Sequence, residues 1–184
     1  EDIKARVNKW NLGDYLIFVG GEEEKHLEEN VVQLKCRDLY EDLPEKMFAI
    51  YGYLADNGYA NNYDYFWKID DDVDFMRWNE GRQEALVNSL NGLNYAGFKL
   101  KSGEGKRGWH IGRVREGSPW FNKRYNGRYP DWMDGGTTYF LSSKALNKWK
   151  NSYKLAEIRN YDIYEDLAVA KYLEKCNILP VEIN

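Results

Sequence analysis

Short apolar runs and segments of helical spacing alternate along this chain, a pattern that predicts an α/β domain with a largely parallel sheet. Residues 15–19 form an apolar run closed by Gly20 and Gly21, which predicts a first strand. An acidic, helix-prone stretch over 22–30 leads to Val31, Val32 and Leu34, a second short strand, and the polar segment 37–42 behind it predicts a turn. Pro44 stands where a helix start tolerates its missing N–H. Met47, Ile50, Tyr51 and Leu54 then recur at i, i+3, i+4 and i+7, and Asn57 and Gly58 mark the stop. The aromatic run 65–69 predicts a strand that passes straight into Asp70, Asp71 and Asp72, then Val73 and Asp74. Beyond it the spacing predicts a helix over 80–90, a strand over 95–100 and a strand over 137–141. Ser142 reads as the cap of a helix over 145–149, residues 165–176 as a helix with Val169, Tyr172, Leu173 and Cys176 on one face, and 178–183 as a last strand. Residues 101–128 hold eight Lys or Arg against two Glu, with six Gly, and predict a long, basic, mobile loop region with room for a short hairpin.

Composition narrows this picture. A chain of 184 residues, 43% of them hydrophobic, has room for one globular domain and not for a second large one. Its 26 basic and 30 acidic side chains leave a net charge of −4, so the chain as a whole repels a nucleic-acid backbone and general nucleic-acid binding is excluded. No apolar run approaches the roughly 20 residues of a membrane span, so the chain as given reads as soluble. Cys36 and Cys176 lack CxxC spacing and are too few for a disulfide scaffold, which leaves free thiols as the expectation.

Three constellations carry candidate chemistry. Adjacent carboxylates raise one another's pKa, so Asp70, Asp71 and Asp72 at a strand end call for a compensating cation or strong donors, or else for full solvation as an acidic turn. Hard carboxylate oxygens suit Mg²⁺ or Mn²⁺. An EF-hand counted from Asp70 fails, since its sixth and twelfth positions are Phe75 and Gly81 where Gly and Glu are required. The second constellation is Tyr129 and Pro130 followed by Asp134, Gly135 and Gly136 ahead of a strand. Paired glycines let a backbone approach a ligand and Asp134 can accept from sugar hydroxyls, although a plain tight turn reads the same way. The third is Glu165 and Asp166 at a helix start, where carboxylates also complement the helix dipole.

The order and spacing of these blocks resemble the β-1,3-galactosyltransferase and fringe-like family of inverting, GT-A fold glycosyltransferases. The blocks are YLIFVGG from Tyr15, DLYEDLPEKMFAIYGYL from Asp38, FWKIDDDVDF from Phe66, NYAGFKL from Asn94, RYPDWMDGGTTYFLSS from Arg128 and YEDLAVAKYLEKCNI from Tyr164. The resemblance spans about residues 5–181. The resemblance implies a single GT-A-type, Rossmann-like domain over 1–184 with a mixed, mostly parallel central sheet flanked by helices. It places the nucleotide-sugar part at about 1–100 and the acceptor side at about 101–184. It also implies a UDP-sugar donor bound with Mn²⁺ or Mg²⁺, a glycan or glycoconjugate acceptor, Asp72 as the direct metal ligand and Asp70 and Asp71 toward ribose or sugar. Asp70 is a further metal candidate, Asp134, Gly135 and Gly136 line the donor site, and Asp166 is the catalytic base. Relatives often carry a further His ligand after the Glu-Asp helix. Here only His26 and His110 exist, both upstream, which makes His110 the substitute candidate and a loop histidine the alternative.

Only residues 1–5 precede the Arg6–Trp10 segment, so part of the nucleotide pocket wall is expected to be absent or rebuilt. A soluble microbial or viral enzyme would be cytoplasmic, and an excised domain of an anchored relative would sit in the Golgi lumen. A non-catalytic carbohydrate- or nucleotide-sugar-binding module and a metal-dependent phosphodiester hydrolase are the competing readings of the same residues.

Overall fold

The computed structural model describes residues 4, 14–71, 73, 80–150 and 162–183. Strands β1 (Ile17–Gly21), β2 (Lys25–Glu28) and β3 (Val31–Lys35) form one sheet in the order β1-β3-β2. β1 runs parallel to β3, and β2 is antiparallel to it with an irregularity between His26 and Glu28. The acidic stretch expected as a helix is therefore half of a hairpin. It has no apolar stripe to dock a helix, and all four β2 residues are exposed. The Glu29–Asn30 connection instead folds it back along the apolar β3, whose pairing decides the outcome over local propensity.

Helix α1 (Leu43–Asp56) follows a 3₁₀ turn at Tyr40–Asp42. Pro44 sits in its first turn, and Met47, Phe48, Tyr51, Leu54 and Ala55 are buried. It ends where the Asn57 side chain donates to the Tyr53 carbonyl at 2.9 Å and Gly58 turns to a φ of +78°, a left-handed geometry that favours glycine. Three further helices are α2 (Glu80–Ser89), α3 (Ser143–Leu146) and α4 (Glu165–Lys175). Ser142 caps α3 by accepting from the Ala145 amide at 3.1 Å.

The site rests on the second sheet, built from β4 (Tyr65–Lys68), β5 (Tyr95–Gly97), β8 (Tyr139–Ser142) and β9 (Val181–Glu182) in the order β4-β8-β5-β9. β6 (Leu100–Lys101) and β7 (Trp132–Met133) pair as a separate antiparallel ribbon. The expectation of one mostly parallel central sheet is corrected here. Among the described residues only β1·β3 and β5·β9 are parallel, while β2·β3, β4·β8, β5·β8 and β6·β7 are antiparallel. The chain is α/β with mixed sheets. β8, from the second half of the chain, lies between β4 and β5, so both halves share one sheet.

Side-chain alternation assigns the faces of that sheet. Tyr139 and Leu141 of β8 and Tyr95 of β5 enter the main core with α1 and α4, whereas Phe140 and Ala96 enter a smaller core with Leu86, Leu90 and Ile183. In the main core Trp149 is fully buried against Phe48, Tyr51 and Tyr172, with ring centroids 4.5–6.0 Å apart. Truncating such a residue costs about 3–5 kcal/mol. The Tyr51 and Tyr139 hydroxyls pair at 2.6 Å, and Tyr95 accepts from the Met133 amide at 3.0 Å, so these buried phenols are satisfied. Cys36 is a buried free thiol and Cys176 a half-buried one. Among the described residues no helix is long and apolar enough to cross a membrane.

The basic stretch 101–128 is a run of turns tied to the core at several points. The Tyr125 amide donates to the Arg107 carbonyl at 2.8 Å, and the Arg107 guanidinium donates to the carbonyls of Tyr125 and Gly127. The Tyr125 hydroxyl and the Lys171 ammonium both reach the buried Asp162 carboxylate.

Candidate active site

Three segments converge at the carboxyl end of β4: the strand end itself, the turn 134–138 and the first turn of α4. Lys68 joins them. Its side chain is only 9% exposed, and its Nζ lies 2.5 Å from Asp70 Oδ1, 2.9 Å from the Gly135 carbonyl and 3.9 Å from Glu165 Oε1. Period-two alternation puts Lys68 and Asp70 on one side of the chain, which is why the ammonium reaches that carboxylate and not its neighbour. The turn is fixed by Thr137 and Thr138, whose amides donate to the Asp134 carbonyl, and by the Thr138 hydroxyl, which donates to the Lys68 carbonyl.

Gly135 is closely packed at this convergence. A Cβ there would stand 2.7 Å from Glu165 Oε1 and 3.2 Å from Asp166 Cβ, whereas one on Gly136 would meet nothing closer than Asp134 Oδ1 at 3.7 Å. Gly135→Ala is therefore expected to displace the carboxylate pair and cut turnover by at least tenfold, and Gly136→Ala to leave it within about twofold. Initial rates of the two variants, with melting temperatures alongside, check this contrast.

Both carboxylates are half-buried. Burial pushes Glu165 up from the ordinary value, against the pull of Lys68 and with the help of Asp70. Burial and the adjacent Glu165 push Asp166 up to about 7, against the Leu167 and Gly135 amides. Asp166 Oδ1 accepts from the Leu167 amide at 2.8 Å, and among the described residues no cation pairs with it. The two neighbours thus differ: Glu165 faces an ammonium, and Asp166 has only backbone donors. A half-buried carboxylate with a pKa near neutrality is suited to taking a proton at physiological pH.

The family model described as Galactosyltransferase matches residues 19–184, from β1 to the end of the chain. The chain belongs to the galactosyltransferase family. Family membership supports glycosyltransferase activity, with a nucleotide-sugar donor and a glycan acceptor.

The other residues expected at the site of this family member fall as follows. Asp70 closes β4 with its side chain 36% exposed, and Asp71 beside it is exposed. Asp72 and Asp74 lie outside the described residues, as does the Arg6–Trp10 segment. Asp134 is held by Lys99 at 3.1 Å and Lys101 at 3.7 Å, so its Oδ2 is already neutralised. His110, the substitute metal candidate, is fully buried, with Nε2 against the Lys123 carbonyl and Nδ1 against the Tyr164 hydroxyl, each at 2.8 Å, and its ring packs on Trp120 and Tyr164. Both of its nitrogens are engaged inside this aromatic cluster.

The donor set at β4 suits a hard divalent cation in kind, since Asp70 and Asp71 supply carboxylate oxygens. Among the described residues no three His, Cys, Asp or Glu side chains gather to hold an ion. Lys68 supplies part of the compensation that the acidic cluster requires. It was not singled out from the sequence, although a lysine between Trp67 and Ile69 in an aromatic strand is the pattern of a buried charge with a partner.

Proposed function

We propose that the chain transfers a sugar from a nucleoside-diphosphate donor, a UDP-sugar, to an acceptor hydroxyl with inversion at the anomeric carbon, and that Asp166 is the base. The observation that carries this reading is the half-buried Asp166 at the start of α4, raised to about 7 and free of a cationic partner among the described residues, with the Gly135 turn packed closely against it. Asp166 accepts the proton of the acceptor hydroxyl while that oxygen attacks the face opposite the departing diphosphate, so one displacement inverts the centre. Lys68 keeps Asp70 and Glu165 in place and prevents three carboxylates from repelling one another.

Gly135, Gly136 and Asp134 would line the donor sugar, and Asp70 and Asp71 the ribose or sugar hydroxyls. Residues 1–100 would hold chiefly the donor and 101–184 the acceptor. Mn²⁺ or Mg²⁺, held by Asp72 together with Asp70, would offset charge on the leaving diphosphate.

UDP is expected to raise the melting temperature when Mn²⁺ is present and not when a chelator replaces it. At 100 times Kd the stabilisation is about 2.7 kcal/mol, or several degrees for a chain of this size. Asp72→Ala is expected to remove most of the cation-dependent part. Equal shifts with Mn²⁺ and with chelator would remove the metal from the account, and no shift with any nucleotide would remove the donor.

A further inference from the structure

The chain is acidic overall, and several of its cations meet carboxylates: Arg107 with Glu104, Arg115 with Glu41, Lys99 and Lys101 with Asp134, Arg128 with Glu174 and Lys171 with Asp162. In the 101–128 loop Lys123 and three neighbours around one surface depression have none among the described residues. Lys106, Arg113 and Arg124 are exposed, and among the described residues none has a carboxylate partner. They border one concavity of about 550 Å³, with Trp109 and Ile111 in its lining, each more than two-fifths exposed.

This cation cluster is built into the fold. Trp109 holds two of the charges, the Arg113 guanidinium 4.3 Å and the Lys106 ammonium 5.2 Å from its ring centroid, so the negative faces of the indole offset the repulsion between like charges. The floor beneath is rigid, because the buried Tyr164 hydroxyl donates to the Lys106 carbonyl at 3.0 Å and His110 is locked at both nitrogens. Tyr164 and Tyr40 link this concavity to the carboxylate pair. Tyr164 immediately precedes Glu165, and Arg113 lies 5.6 Å over the ring of Tyr40, whose phenol interacts with both Arg113 and Glu165.

From Lys106, Arg113 and Arg124, which lack carboxylate partners among the described residues and surround the Trp109 concavity, we propose that the acceptor of this enzyme is an anionic saccharide whose carboxylate or sulfate is bound there. The assignment rests on the transferase reading above for the word acceptor, and on the concavity alone for the binding. A volume of about 550 Å³ is in the range of small-ligand sites and accommodates one or two sugar residues. Guanidinium groups take such oxyanions in two parallel hydrogen bonds, and exposed apolar surface beside them covers a pyranose face.

The test measures binding to the whole chain by titration calorimetry with three tetrasaccharides: one from hyaluronan, which carries carboxylates, its carboxyl-reduced neutral counterpart, and one from chondroitin sulfate. UDP with Mn²⁺ is titrated separately. The charged tetrasaccharides are expected to bind at least tenfold tighter than the neutral one and to weaken as salt rises. Chondroitin sulfate keeps the carboxylates of hyaluronan and adds sulfate, so equal binding of the two makes the carboxylate the anchor and tighter binding of the sulfated probe adds the sulfate. Arg113→Ala combined with Arg124→Ala, both exposed and outside the core, is expected to erase the preference while leaving UDP affinity and melting temperature unchanged. Equal binding of charged and neutral tetrasaccharides would overturn the proposal. So would a double variant that loses UDP affinity and keeps saccharide binding, since the cations would then serve the donor diphosphate. Loss of UDP binding in the unaltered chain, with the charge preference intact, would instead count against the transferase reading and leave the anionic site standing.

Discussion

Asp166→Asn is expected to abolish sugar transfer and to stabilise the protein in the same step. Asparagine keeps the acceptor oxygen that receives the Leu167 amide but cannot take a proton, so the loss falls on the chemical step, roughly 10²- to 10⁴-fold, with donor affinity nearly unchanged. The stability gain follows from the raised pKa. Between the ordinary carboxylate range and about 7 the folded chain holds a proton on Asp166 that the unfolded chain has released, so the native state loses stability as pH rises through that window. The variant lacks this loss. Above pH 7 it is expected to be more stable than the unaltered chain by roughly 1–4 kcal/mol, several degrees in melting temperature, and the difference should vanish near pH 4. Turnover of the unaltered enzyme should correspondingly fall as pH drops below about 7. Glu165→Gln is the matched control, expected to cost less in turnover because Glu165 faces Lys68 and not an open position. An active Asp166→Asn beside an inactive Glu165→Gln would exchange the two roles.

Lys68→Met should have the largest structural effect of any single substitution at the site. It removes the one ammonium that meets Asp70, the Gly135 carbonyl and Glu165, and leaves two carboxylates and a carbonyl facing each other in a half-buried space. Removing one partner of a buried pair costs about 3–5 kcal/mol, and the exposure of Asp70 places this case nearer 2–3. Because Lys68 favours the ionised form of Glu165, its loss raises that pKa further. The destabilisation is therefore expected to be full at pH 8 and to shrink toward pH 5 as Glu165 takes a proton. Denaturant unfolding at the two pH values checks it. A destabilisation independent of pH would mean that Lys68 acts through packing against Tyr139 alone.

The elements around the site were legible where local pattern decides them. The run from Tyr139 with Ser142 as a cap, and the spacing of Met47, Tyr51 and Leu54 behind Pro44, each specify one element on their own. Strand order was not, because it is set by contacts far apart in the chain. β8 enters between β4 and β5 through the stacked Trp67 and Phe140 and the edge-on Tyr95 and Tyr139, pairs that no window of the sequence contains. His110 shows the same limit. Its neighbours are glycines and cations typical of a solvated loop, yet Tyr164 and Trp120 close over it and make it a core residue. Lys68 was hidden in the opposite way, since its partners are split between the next strand residues and the Glu165 helix about a hundred positions on.

The inverting displacement through Asp166 is tested most directly by proton NMR of the sugar released from UDP-galactose, in the presence of Mn²⁺, with water as the acceptor. The account predicts that the first sugar to appear, before mutarotation, is β-galactose, released together with UDP, and that Asp166→Asn releases none. Initial release of α-galactose, or equal release by Asp166→Asn, would contradict it.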